Sequence, residues 1–379
     1  MTEHRDAPPG GGQRSGRLGA RAGLAAFGVL ATLAALLTLE AVFRVVAPNY
    51  LAARRGPHAY SAALGWVSRS GVTLTLAGKR VTLNGTGHRG RELAARRNRN
   101  ARLVVIGDSI AFGLGVADEE TFSSLLDARD NGIEVANLAV QGYGPDQELV
   151  VLQRAGLPLG PDVVVVAFCM ANDLAESMLR VSLYDGSTPK PRFHLTRGEL
   201  VPEVEHLEHG LAWQAQRALA DHSQLFNRLA SLRPEPRALP GPHWRERYAA
   251  ALRDEDQVVA LNVALVRRMR DASLERGAGF LLAAFPDRSS FRAKPPLLQR
   301  FFDRLEDEGI PVPELAPRFR ARGLKLRDVA IDPAGHLSPR GHSIVSDELE
   351  GAVKATLAAG TNDVSLAPPA TAPLRARRR

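Results

Sequence analysis

The chain has 379 residues, 45% of them hydrophobic, and a formal net charge of +8, which suits one large globular domain or two modest ones. Much of that charge lies at the ends, where four arginines face Glu3 and Asp6 in residues 1–21 and four face Asp363 in residues 361–379. The middle is only mildly basic and has no basic stripe with interleaved aromatics, which argues against nucleic-acid binding. Cys169 is the only cysteine, which excludes an intrachain disulfide and a thiolate metal cluster.

From the N-terminus, residues 1–21 are rich in Gly, Pro, Arg and Ser and are expected to be a disordered basic tail. Residues 22–43 begin with eighteen uncharged positions before Glu40. That is long enough to cross a bilayer and longer than a signal-peptide core, so an uncleaved transmembrane anchor is predicted. The flanking arginines, Arg5, Arg14, Arg17 and Arg21 before and Arg44, Arg54 and Arg55 after, bias the tail inward and the C-terminal domain outward only slightly. The predicted protein is single-pass, with an extracytoplasmic catalytic domain.

Residues 44–100 read as an approach segment, with a hairpin over GVTLTLAG and KRVTLNGTG and a charged surface connection over RGRELAARRNRNAR. From residue 101 to about 358, strands alternate with helical periodicity: Leu103 to Ile106, Glu134 to Leu138, Asp162 to Phe168 and Gly279 to Phe285. This predicts an α/β fold with a central parallel sheet and helices on both faces. Residues 175–255 read as a helical insertion over one sheet edge, and residues 359–379 as a second disordered tail.

Four blocks carry chemistry. In RLVVIGDSIAFGLGV, a strand ends at Gly107, and Ser109 follows where a helix should begin. A serine at that carboxyl edge aims its own N–H at a developing oxyanion, although a plain helix cap explains the same residues. In NLAVQGYGPDQ, Gly142 allows close backbone approach or simply makes a turn. In VVVVAFCMAND, Asn172 either donates to an oxyanion or caps a helix, while Cys169 is read as a packing residue in a buried strand. In DVAIDPAGHLSPRGHSIVSDEL, Asp332 and His336 are spaced so that a carboxylate can orient an imidazole across a tight turn. His342 is assigned to the following helix.

Taken in order, these blocks resemble the SGNH (GDSL) hydrolase superfamily over residues 101–358. The resemblance implies a flavodoxin-like α/β/α sandwich without cofactor or metal. Ser109 would be the nucleophile, His336 the general base and Asp332 its orienting partner. The Ser109 and Gly142 amides and the Asn172 side chain would form the oxyanion hole. Three positions depart from the family pattern: Ile110 replaces leucine, Ala171 replaces glycine, and Asp332 lies four rather than three residues before its histidine. Asp328 is a poorer substitute for it.

The expected activity is serine-dependent hydrolysis of a short-chain acyl ester on a glycan, lipid or small molecule. An O-acyltransferase on an envelope glycan and a noncatalytic binding module of the same fold are the alternatives. His206 and His209 beside Glu205 and Glu208 read as solvated charge rather than a metal site, and Trp213 and Trp244 read equally as packing anchors or as part of a substrate site.

Overall fold

The computed structural model describes residues 12–47, 56–93, 101–203, 211–230 and 243–359. These fall into two compact units, one drawn from residues 1–55 and 209–235 and the other from residues 56–208 and 236–379. The histidines at 206 and 209 and most of both expected tails lie outside the described residues.

The larger unit is organised by a four-stranded parallel sheet. Its members are β5 (Ala101–Gly107), β6 (Ile133–Asn137), β7 (Val163–Cys169) and β10 (Gly279–Phe285), in the spatial order β10-β7-β5-β6. A parallel bridge from Ala284 to Glu314 continues the sheet beyond β10. Counted along the chain, the order is second, first, third, fourth and a rudimentary fifth, that of a flavodoxin-like sheet. It places the carboxyl ends of β5 and β7 side by side at the topological switch point.

All seven residues of β7, VVVVAFC, are buried, as a parallel strand covered on both faces requires. Alternation sorts the side chains between two cores. Val104, Ile106, Val164, Val166 and Phe168 pack with the helices Glu255–Leu274 and Pro296–Asp307, while Leu103, Val105, Val163 and Val165 pack with Phe122–Asp127 and Pro339–Ala359.

The approach segment holds two hairpins. The expected one is β3 (Val72–Leu76) with β4 (Lys79–Leu83), turned through Ala77 and Gly78, both at positive φ as a tight two-residue hairpin turn demands. The other, β1 (His58–Ser61) with β2 (Gly65–Ser68), was not expected. The charged connection departs from a surface reading at its first residue, since Arg89 is only 5% exposed and bridges to Asn137, the last residue of β6.

The insertion is not wholly helical. It contains a third hairpin, β8 (Arg192–Thr196) with β9 (Glu199–Glu203), packed on the Glu255–Leu274 helix. Its helices Leu211–His222 and Gln224–Ala230 belong to the smaller unit with the N-terminal helix Gly12–Val46. That N-terminal helix begins before the expected anchor, because Pro8 and Pro9 precede Gly12 and the residues from 12 to 21 include no helix-breaking proline. Its stretch Gly23–Val46 is apolar enough to span a bilayer and is unburied within the chain.

Candidate active site

The turn that carries Ser109 is built from glycine and aspartate. At Gly107 a Cβ would sit 2.7 Å from the Ala111 Cβ, so the chain can fold from β5 into the Ser109–Phe112 turn only with glycine there. Asp108 caps that turn, its carboxylate accepting the Ile110 N–H at 2.8 Å. Ser109 thereby stands at the carboxyl edge of the sheet.

The structure brings Ser109, His336 and Asp332 together. His336 Nε2 lies 2.9 Å from Ser109 Oγ, and His336 Nδ1 lies 2.6 Å from Asp332 Oδ2. Asp332 Oδ1 also accepts the backbone N–H groups of Ala334, Gly335 and His336 at 3.0, 3.1 and 3.2 Å. The four-residue spacing therefore closes without loss of contact. Gly335 takes the extra residue at φ 96°, where a Cβ would meet the Pro286 carbonyl at 2.4 Å. Asp328 instead accepts the Lys325 N–H within its own turn. His342 is fully buried, stacks on Phe122 and accepts the Phe122 N–H at the start of the next helix.

Burial opposes the charged imidazole of His336, but the Asp332 hydrogen bond and the charges of Asp332 and Asp108 outweigh it, so His336 titrates above its ordinary value. For Asp332, burial acts to raise the pKa, yet the bonds from His336 and nearby backbone amides carry it below the usual range. The two form a polarised pair.

Gly142 lies in the loop after β6 at φ 76°, and the space where its Cβ would project is bounded by Trp66 at 3.5 Å and Tyr184 at 3.8 Å. Asn172 follows β7 and lies against Asp108. Its side-chain amide is buried, and neither of its polar atoms has a partner of hydrogen-bond geometry. Cys169 is buried, and burial holds its thiol well above the ordinary range, as a packing role requires.

Four features escaped the sequence. Arg89 donates to the carbonyls of Phe112, Gly113 and Val116, pairs with Asp118 at 3.0 Å, and so holds the far end of the Ser109 turn. The β1–β2 hairpin buttresses the Gly142 loop: Trp66 Nε1 donates to the Gln141 carbonyl at 2.9 Å, and the Tyr143 hydroxyl donates to the Trp66 carbonyl at 2.5 Å. From the insertion, Arg247 fixes the Tyr184 segment by donating to the Leu183 and Tyr184 carbonyls. Trp244, in contrast, is half-buried beneath the Arg245 guanidinium.

The fourth feature is a buried acidic set behind the turn. Asp108, Asp146, Glu148, Asp173 and Glu176 are all at most 1% exposed, and Asp146 pairs with the fully buried Lys190. Both Glu148 carboxylate oxygens, Asp173 Oδ1 and Glu176 Oε1 lack partners. Burial, reinforced by mutual repulsion, drives the Glu148 and Asp173 carboxyls well above their ordinary range and Glu176 to about 8. All three carboxyls are thereby biased toward the protonated form.

Among the described residues, no group of three or more His, Cys, Asp or Glu is arranged to hold a metal ion. No protein-family model and no curated protein matches the chain. Solved structures do. A lipolytic protein of the G-D-S-L family from Desulfitobacterium hafniense is 12% identical, with 66% of this chain and 99% of that one covered, at a TM-score of 0.35. An esterase from a Pseudoalteromonas species is 14% identical, covering 67% and 97%, at 0.35. A catalytic mutant of an acetylxylan esterase from Geobacillus stearothermophilus is 14% identical, covering 66% and 93%, at 0.38. These three solved proteins are thus a lipolytic protein of the G-D-S-L family and two esterases.

Proposed function

We propose that the chain is a serine ester hydrolase of the SGNH (GDSL) type. The observation that carries this reading is the unbroken Ser109, His336, Asp332 hydrogen-bond chain, assembled from segments more than two hundred residues apart at the carboxyl edge of the sheet. A lone helix-capping serine needs no such imidazole.

In the proposed mechanism, His336 Nε2 takes the Ser109 proton as Oγ attacks the ester carbonyl, with Asp332 fixing the tautomer in which Nδ1 carries hydrogen. The Ser109 and Gly142 backbone N–H groups and the Asn172 amide stabilise the oxyanion. His336 then protonates the departing alcohol. Water, activated by the same imidazole, cleaves the acyl-enzyme and restores Ser109. The rings of Trp66 and Tyr184 narrow the space beside Gly142, which favours a short acyl group.

Residues 23–46 serve in this reading as a membrane anchor with the catalytic domain outside, so the ester belongs to an envelope glycan or lipid. A reporter fused to the C-terminus, active only on the outer side, tests the orientation. Fluorophosphonate labelling and hydrolysis of a short-chain aryl ester test the chemistry. Ser109→Ala should abolish labelling and lower turnover by about 10⁴-fold or more. Hydrolysis by that variant at the wild-type rate would refute the mechanism.

A further inference from the structure

We propose that residues 211–230 are a membrane-interface element, clamped onto the anchor helix by the Glu40 and Arg44 pair and giving the catalytic unit a second attachment to the lipid surface. The inference rests on the reading of residues 23–46 as a membrane anchor.

The clamp is built from opposite helix ends. Glu40 accepts the Ser223 hydroxyl at 2.9 Å and the Gln224 and Leu225 N–H groups at 3.0 and 2.8 Å, at the start of the Gln224–Ala230 helix. One turn further on, Arg44 pairs with Glu40 at 2.8 Å and donates to the His222 carbonyl at 2.7 Å, at the end of the Leu211–His222 helix. A carboxylate thus meets exposed donors and a guanidinium meets an exposed acceptor, each matching the partial charge of the helix end it touches. Gln224 donates to the Ala47 carbonyl at 2.9 Å, and Arg228 lies over the Phe43 ring at 4.4 Å.

The position of the clamp identifies the occupant of the hairpin's outer face. Residues 22–39 are uncharged and as a helix span about 27 Å, close to the thickness of the hydrocarbon layer. Glu40, the first charge after them, therefore falls at headgroup level, where an ionised side chain beside an apolar helix needs partners. The hairpin it holds must lie at that level too. Along the first hairpin helix Leu211, Ala215, Ala218 and Leu219 recur at helical spacing and are exposed, while positions 214, 217 and 221 are polar. Leu211 is 83% exposed and, in the second helix, Leu229 is 54% exposed. An amphipathic helix with a bare apolar face at headgroup depth fits the lipid surface.

The chain leaves the catalytic unit before residue 209 and re-enters it after residue 235. Besides the N-terminal linker, the catalytic unit is then tied to the membrane through both ends of the hairpin. Such a double attachment favours esters carried at the bilayer surface over freely diffusing ones.

The test uses the full chain in nanodiscs of phosphatidylcholine and phosphatidylglycerol. Nitroxide labels are placed through Leu33→Cys, Leu219→Cys, Leu229→Cys and, in the exposed β3 strand, Thr75→Cys; the native Cys169 is buried. Collision with oxygen is compared with collision with a water-soluble nickel chelate. Positions 219 and 229 should show an oxygen-to-nickel ratio at least about threefold above position 75, below that of position 33. Adding Glu40→Ala should lower both to the level of position 75, with position 33 and soluble-ester turnover unchanged. Nickel access at 219 and 229 equal to that at 75 overturns the inference while sparing the anchor, as does spin–spin broadening from a second copy. A Glu40→Ala chain with unchanged labels overturns the clamp. Nickel access at position 33 would remove the anchor reading and this inference with it.

Discussion

Two polar clusters meet at the Gly107, Asp108, Ser109 turn, and they handle charge in opposite ways. In front, Ser109, His336 and Asp332 are partly open to solvent, and each hydrogen-bonds to the next. Behind, Asp108, Asp146, Glu148, Asp173 and Glu176 are closed off, with Lys190 paired to Asp146 and four oxygens of the set left without partners. The front cluster keeps its charge by pairing, whereas in the rear one burial biases Glu148, Asp173 and Glu176 toward the protonated form. The difference matters for the proposed acyl transfer, because a fully ionised rear cluster would oppose negative charge developing at the Ser109 edge.

The comparison breaks most severely at Lys190. Replacing it with methionine leaves Asp146 buried without its cation and should cost about 3–5 kcal/mol in urea unfolding, the usual result of removing one member of a buried pair. A loss below about 1 kcal/mol would show that Asp146 is already neutral. Adding Asp146→Asn should recover part of the loss, since no uncompensated charge then remains.

In the front cluster, Asp332→Asn should lower kcat/KM for an aryl ester by roughly 10²-fold, about 2.7 kcal/mol, with little change in unfolding. The Asp332 side chain is 38% exposed, so water can replace part of its effect. A loss of less than threefold would remove Asp332 from the mechanism.

Sequence made the front cluster legible because each member belongs to a short block with a physical reason for its spacing. The four sheet strands were equally readable, since runs such as Val163 to Cys169 are apolar throughout. Asp332 illustrates the limit: only the left-handed Gly335 turn shows how a four-residue separation still reaches Nδ1. Arg89 was hidden because a buried guanidinium has the same local signature as its exposed neighbours in a charged run. The rear cluster was hidden for a different reason. Asp146, Glu148 and Glu176 occupy helix positions that ordinarily point to water, and only tertiary packing buries them. The hairpin on Glu40 likewise joins residues more than 180 apart, beyond any local pattern.

The clusters should also separate in pH. In the proposed mechanism the base must be neutral to accept the Ser109 proton, so kcat/KM should rise as His336 loses its proton. Because His336 titrates above its ordinary 6.5, the acid limb should lie above that value. Asp332→Asn removes the main influence raising it, so the limb should move down in the variant. An unmoved limb would assign it to another group.

Glu148→Gln gives the smallest and most discriminating effect. A protonated Glu148 resembles glutamine in size and charge, so stability at neutral pH should be maintained within about 1 kcal/mol or improved. The sign of the pH dependence follows from the raised folded-state pKa. Above the ordinary glutamate value near 4.5, the unfolded chain releases this proton while the native state keeps it. Wild-type stability therefore falls with rising pH through this site. The variant cannot titrate there, and its advantage should grow from pH 5 to pH 8 in paired urea titrations. A disadvantage growing over the same range would mean that Glu148 is ionised and paired in the native state, and the contrast between the two clusters would fail at its most buried member.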